Sequence, residues 1–214
     1  RGFYAHCALM TGGTAVLSCA NGPRCLEEAL SRLGIDLADD FREVEREIGI
    51  NTIPASGLSA GSHALIAAGR DVGVTFRPMP KMIDFAKCRR CGLCMLGCRS
   101  GAKWTPLKWL DGLQSDGLRV RFKTRVTRVR HEKGRVTGVE ARGSGGSSFI
   151  PASHVILAAG ALETPVILQR SGFSDAGTHL AVDPATIVYG ITSGLNTLGE
   201  PVMSMIADGM HESR

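Results

Sequence analysis

Four cysteines stand within eleven residues, at Cys88, Cys91, Cys94 and Cys98, in the pattern C-x2-C-x2-C-x3-C. Three thiolates at two-residue gaps can wrap one face of a cubane, and Gly92 and Gly97 allow the turns between them. The spacing predicts a [4Fe-4S] cluster held by these side chains. Zinc sites more often pair two C-x2-C knuckles across a longer spacer, which this chain lacks; zinc, or no metal, is the alternative. In two-cluster ferredoxins the fourth cysteine of such a run serves the other cluster, and proline follows it. Here Arg99 follows Cys98 and no second run exists. Either Cys98 closes the site locally or a remote cysteine does, with Cys7, Cys19 and Cys25 as candidates. Each of those three reads first as a small buried apolar side chain.

A loop of this kind needs elements to hold it. Residues 24–33, 39–48 and 59–72 show apolar residues at helical spacing, and Gly34 and Gly49 stop the first two. Residues 74–77 read as extended, and the cysteine loop spans 84–103. Thr105-Pro106 reads as an N-cap followed by proline at the first helical position, opening a helix to about Leu113. Three short strands follow at 118–123, 126–131 and 136–141, the last two joined by a turn at Glu132-Lys133-Gly134. Residues 143–148 read as a Gly/Ser loop. The unbroken apolar run 154–159 reads as a strand buried on both faces, in a mainly parallel sheet separate from the meander. It ends at Gly160, before a helix over 163–169, and 186–192 reads as a further strand.

Composition sets bounds on function. The chain has 214 residues with 43% hydrophobic and 21% charged, enough for a sizeable core. Its apolar stretches are too short or too broken by glycine to span a membrane. Seven cysteines, four of them clustered, suit a metal in a reducing compartment better than a disulfide scaffold, which points to a cytoplasmic setting. Residues 81–136 carry 15 basic and 4 acidic groups, against net negative flanks. Such a block attracts an acidic redox partner protein or offsets the negative charge of a thiolate-bound cluster; a plain solvated surface explains it equally well. It lacks aromatic interleaving and any binding motif, so no nucleic-acid partner is expected. The six histidines are scattered, and none pairs with an acid at useful spacing.

The run from Gly160 through Thr164-Pro165 to Ser171-Gly172 closely resembles the second signature of the glucose–methanol–choline (GMC) oxidoreductases, roughly G-x-x-x-[ST]-P-x-L-L-x-x-S-G. Gly12-Gly13-Thr14 sits where that family has its Gly-Gly-Ser/Thr flavin loop. The family's asparagine in that loop falls at Ser18, with Asn21 near but displaced. Gly97-Cys98 and Gly101-Ala102-Lys103 look like the cysteine-bearing subset of the family. The resemblance implies an α/β fold: part of a FAD-binding doubly wound domain with an antiparallel β-meander, and the start of a substrate domain. It divides the chain into a flavin-loop segment with helices (1–80), the cysteine loop (81–104), a FAD-domain portion (105–184) and the start of the substrate domain (185–214). It also implies FAD contacts at Gly12, Gly13, Thr14, Asn21, Val126, Ala159, Gly160, Thr164 and Pro165.

No G-x-G-x-x-G follows a strand here, and no late histidine pair is present; the family places both outside these residues. The chain therefore reads as an internal piece of a longer protein, and no catalytic residue is assigned. The function expected is a FAD-dependent dehydrogenase that takes hydride from a small-molecule alcohol or polyol and passes electrons on through the cluster. A ferredoxin-like module without flavin chemistry is the rival, and a zinc-stabilised binding protein the third reading.

Overall fold

In the computed structural model, which describes residues 8–182, 186–188, 190–191, 193–196 and 198–208, the chain divides into two compact units. One comprises Arg1–Gly117 with Gly190–Arg214, the other Leu118–Tyr189.

The first unit is organised around residues 79–84. This segment runs extended and bonds to remote backbone on every side. Met79 N donates to Ser204 O (2.8 Å), Lys81 exchanges both backbone bonds with Asn51 (2.7 and 2.9 Å), and Met82 N donates to Ala20 O (2.8 Å). Asp84 N donates to Ala102 O and Trp104 N to Met82 O, both at 2.9 Å. Ala20, Ile83 and Ala102 form the buried core, with Met82, Phe85, Cys88, Cys94 and Cys98 packed against it.

Helices α1 (Glu27–Arg32), α2 (Ala38–Ile48) and α3 (Ala60–Asp71) occupy the regions their periodicity indicated. Left-handed Gly49 ends α2, and the Ser59 side chain caps α3 by accepting from Ser62 N (3.2 Å). Strand β1 (Thr75–Pro78) follows α3, and α4 spans Leu107–Ser115. Pro106 is the N-cap of α4 rather than its first helical residue, a shift of one position. Strand β5 (Met205–Asp208) pairs antiparallel with β1.

The second unit holds an antiparallel meander, β2 (Arg125–Glu132), β3 (Arg135–Gly143) and β4 (Gly146–Pro151), followed by α5 (Gly160–Arg170). The expected α/β mixture and meander are present, but the meander is displaced along the chain. Residues 118–123 form no strand, because they turn at Phe122-Lys123, where Lys123 is left-handed (φ 50). The Gly/Ser tract expected to be a loop supplies a tight turn and the start of β4, since pairing with β3 overrides its poor strand propensity.

Residues 154–159 carry no regular structure and join no sheet among the described residues, so the expected parallel sheet is not found there. Val155 and Leu157 pack against Val129, Val139 and Ile167, whereas Ile156 between them is 93% exposed. An apolar run alone does not bury a strand; a second surface must cover its other face. The described residues of the expected strand 186–192, namely 186–188 and 190–191, also carry no regular structure.

Helix α5 is fastened to the meander by Ser171. Its hydroxyl donates to Ile167 O (2.6 Å) and accepts from Val129 N (2.8 Å), while its carbonyl meets His131 Nε2 at 2.9 Å. Ser171 is buried, so removing the hydroxyl leaves a β2 amide without a partner. Ser171→Ala should lower the stability of this unit by about 2 kcal/mol, read from chemical denaturation, whereas substitution of exposed Ser174 should leave it nearly unchanged.

Candidate functional site

The cysteine loop folds back on itself through residues that tolerate left-handed backbone. Arg90 (φ 50), Gly92 (φ 71), Gly97 (φ 83) and Gly101 (φ 67) make the reversals, and a short 3-10 helix, Cys94–Leu96, lies between them. As a result Cys88, Cys91, Cys94 and Cys98 line a single cavity, together with Ile83, Lys103 and Pro201. Cys98 thus stands with the other three. Cys19 and Cys25 do not line this cavity, and Cys7 lies outside the described residues, as do His6 and His211. Among the described residues no group of three or more His, Cys, Asp or Glu side chains is arranged to hold a metal ion.

Their environments differ. Burial raises the Cys88 thiol above its ordinary value; the Arg90 amide at 3.4 Å opposes this, and the neighbouring Cys94, Cys98 and Cys91 add to it. Burial would also raise Cys98. The Ser100 hydroxyl at 3.3 Å and the amides of Lys103, Ala102 and Ser100 outweigh it, holding Cys98 below the ordinary value.

Two lysines frame the loop. Lys103 is 3% exposed, and its Nζ donates to the carbonyls of Val16 (2.6 Å), Ser18 (2.9 Å) and Cys94 (2.9 Å). It joins the segment after Gly12-Gly13-Thr14 to the cysteine loop. Lys81 is 1% exposed, and its Nζ donates to Cys19 O (3.1 Å), Asn21 Oδ1 (2.6 Å) and Val202 O (2.5 Å). Burial pushes its ammonium down to about 8, partly offset by Cys94 and Cys19. Glu200 completes the frame by accepting from Ser59 N (2.9 Å) and Ser62 Oγ (2.7 Å), which brings Pro201 to the cavity and Val202 to Lys81. Lys81 and Glu200 were not singled out from sequence, and Lys103 entered only through the Gly101-Ala102-Lys103 resemblance, with no role given to its side chain. The one signal was that both lysines interrupt apolar stretches, at Met79-Pro80-Lys81-Met82-Ile83 and Ala102-Lys103-Trp104.

Gly12 (φ 86) and Gly13 (φ 59) are left-handed and open a 3-10 helix, Gly13–Leu17. A Cβ at Gly12 would meet Val16 Cγ2 at 2.7 Å, so that glycine is needed for local packing. A Cβ at Gly13 would meet nothing within 4 Å, and Thr14 is exposed; this backbone faces open space. Asn21 is turned toward Lys81 and toward Met203 Sδ (3.6 Å). In the second unit, Val126 is half-buried against the meander core, and Gly160 (φ 85) has open space where a Cβ would stand. Thr164 Oγ1 accepts from Ala159 N (3.1 Å), fixing the corner at which the chain enters α5, and Pro165 lies inside that helix.

The family model described as GMC oxidoreductase matches residues 33–195. The chain belongs to the GMC oxidoreductase family. It is 31% identical over 198 residues to an uncharacterised GMC-type oxidoreductase of Mycobacterium tuberculosis, covering 84% of this chain and 31% of that protein. It is 36% identical over 110 residues to a long-chain-alcohol oxidase of Arabidopsis thaliana, covering 47% of this chain and 15% of the relative. A pyridoxine 4-oxidase of Microbacterium luteolum is 30% identical over 125 residues, covering 56% and 24% respectively. This GMC chain thus spans less than a third of the length of each of these relatives.

Two outcomes follow for this GMC chain. Lys103→Met keeps most of the unbranched apolar stem but leaves three carbonyls without their donor. It should cost about 3 kcal/mol in denaturant unfolding. In metal-free protein, alkylation of Cys98 should reach its plateau at lower pH than alkylation of Cys88, because Cys98 is held below the ordinary thiol value and Cys88 above it. Mass spectrometry of each peptide after timed alkylation reads the order.

Proposed function

We propose that this chain is the flavin-loop and cysteine-loop portion of a FAD-dependent dehydrogenase acting on the CH–OH group of a small-molecule alcohol or polyol. The observation that carries the electron-transfer part is the single cavity lined by Cys88, Cys91, Cys94 and Cys98. Zinc draws four thiolates to about 2.3 Å from one point. A cubane sets its four thiolate ligands around a larger body, and the four cysteines that line this cavity are the donor set it takes. The donors to sulfur at Cys88 and Cys98 suit thiolates bound to iron.

The residues present also fit FAD. The open, left-handed backbone at Gly13 and the bare Gly160 at the start of α5 allow the close approach a dinucleotide needs. In this reading Gly12, Gly13 and Thr14 border the flavin, and Val126 lies toward the adenine. Ala159, Gly160, Thr164 and Pro165 form a helix entrance facing the nucleotide. Asn21 acts indirectly, by seating Lys81. Bound there, FAD would supply the acceptor for a hydride from the alcohol carbon. Lys103 then serves by holding the two loops in fixed register.

The two alcohol-type relatives are named as oxidases, which supports the substrate class and offers oxygen as a rival acceptor. The cysteine loop favours onward transfer of single electrons to a protein acceptor instead. The family match over residues 33–195 weighs against a flavin-free electron-transfer module. In the described residues no helix is long and apolar enough to cross a membrane.

Full-length protein carrying Gly13→Val should lose most of its FAD, since valine is strained at φ 59 and occupies the open face. Cys91→Ser should lose iron yet keep FAD and its bleaching by substrate, while turnover with a one-electron dye falls at least tenfold. Full FAD occupancy in Gly13→Val would contradict the flavin-loop assignment. Unimpaired dye turnover in Cys91→Ser, or rapid oxygen consumption by the parent protein, would contradict the route through the cysteines.

A further inference from the structure

The outer side of the cysteine loop carries both apolar and cationic groups. Residues 85–110 contain six lysines and arginines and no aspartate or glutamate. Leu93, Met95 and Leu96 are 52%, 52% and 78% exposed, three large apolar side chains within four residues. Arg89 and Arg99 are exposed as well, and no carboxylate of the described residues pairs with either. Lys87 differs, since Asp84 neutralises it at 3.1 Å. Cys91 lines the cavity and is itself exposed, so the cavity reaches solvent beside this residue.

We propose that this face docks an acidic one-electron carrier protein. The proposal rests on reading the four cysteines as ligands of an iron–sulfur cluster. Single electrons pass efficiently only over short distances, so a carrier must meet the cluster where it approaches the surface, beside Cys91. The apolar side chains exclude water from the centre of such a contact, and the surrounding guanidinium groups steer an acidic partner and orient it. A second copy of this chain is a poor occupant, because a twofold contact would set the same cationic rim against itself.

The electron count closes. Oxidation of one CH–OH to C=O releases two electrons and two protons. Two oxidised carriers each take one electron in succession, and both protons go to solvent.

The test uses full-length protein with FAD and iron loaded, and a plant-type [2Fe-2S] ferredoxin as the acidic probe. Binding is measured by biolayer interferometry at low and high salt. Arg99→Glu and Leu96→Glu are the variants, since neither residue lines the cysteine cavity. Each should weaken Kd by about tenfold while iron content, FAD content and dye reduction stay at the parent level. Parent affinity should fall steeply with salt, and the basic protein cytochrome c should bind more weakly than the ferredoxin.

Unchanged ferredoxin affinity in both variants, with iron intact, overturns the docking face and leaves the cluster reading standing. So does failure of phenylglyoxal to modify Arg89 and Arg99 in the full-length protein, because the face is then covered by the rest of the chain. Parent protein that contains no iron or labile sulfide overturns the cluster reading, and the docking proposal with it.

Discussion

A buried ammonium group has three N–H bonds to place and no water to receive them, so it is tolerated only where oxygen atoms surround it. Lys103 and Lys81 each meet three oxygens drawn from segments far apart in sequence. The carbonyls of Val16, Ser18 and Cys94 can converge on Lys103 only when the glycine loop and the cysteine loop hold one arrangement. Those of Cys19 and Val202, with the Asn21 side chain, impose the same on the other side of residues 79–84. Among the described residues no buried side-chain nitrogen or oxygen lacks a partner, so the arrangement leaves no uncompensated polar atom. The apolar core beside these lysines is small, consisting of Ala20, Ile83 and Ala102. Specific shape in this unit therefore depends more on satisfied polar contacts than on packed hydrocarbon.

The same division appears in the family signature. Thr164 and Ser171 lie in a run that marks the GMC oxidoreductases, and both make structural bonds, Thr164 to the amide of Ala159 and Ser171 to that of Val129. The glycines differ from them. Gly13 and Gly160 have open space where a side chain would stand, and a ligand is one reason for a protein to leave backbone bare. A signature of this kind mixes residues that build a corner with residues that leave room beside it.

Local chemistry made much of the fold legible. Gly49 stops α2 and Ser59 caps α3, both set by neighbouring residues. The Lys133-Gly134 turn (φ 47 and 78) joins β2 to β3 and fixes the start of their register. The cysteine spacing led directly to a shared cavity. The misread segments depend on remote partners. Residues 118–123 have a strand's composition and, among the described residues, no strand to pair with, while the Gly/Ser tract 143–148 has a loop's composition yet lends residues 146–148 to β4 beside β3. The run 154–159 was read as buried on both faces, yet Ile156 is 93% exposed. The burial of the two central lysines was hidden for a related reason. Lysine is rarely buried, and the oxygens that make it acceptable here come from positions as distant as residues 16 and 202.

What the four thiols hold decides how electrons leave this protein. Full-length protein purified without oxygen can be assayed for iron, labile sulfide and zinc per chain, with an electron paramagnetic resonance spectrum recorded after dithionite reduction. About four iron and four sulfide per chain, little zinc, and a low-temperature signal from a reduced cluster are the results expected. One zinc per chain, or FAD with no metal at all, would contradict an iron–sulfur cluster at these cysteines.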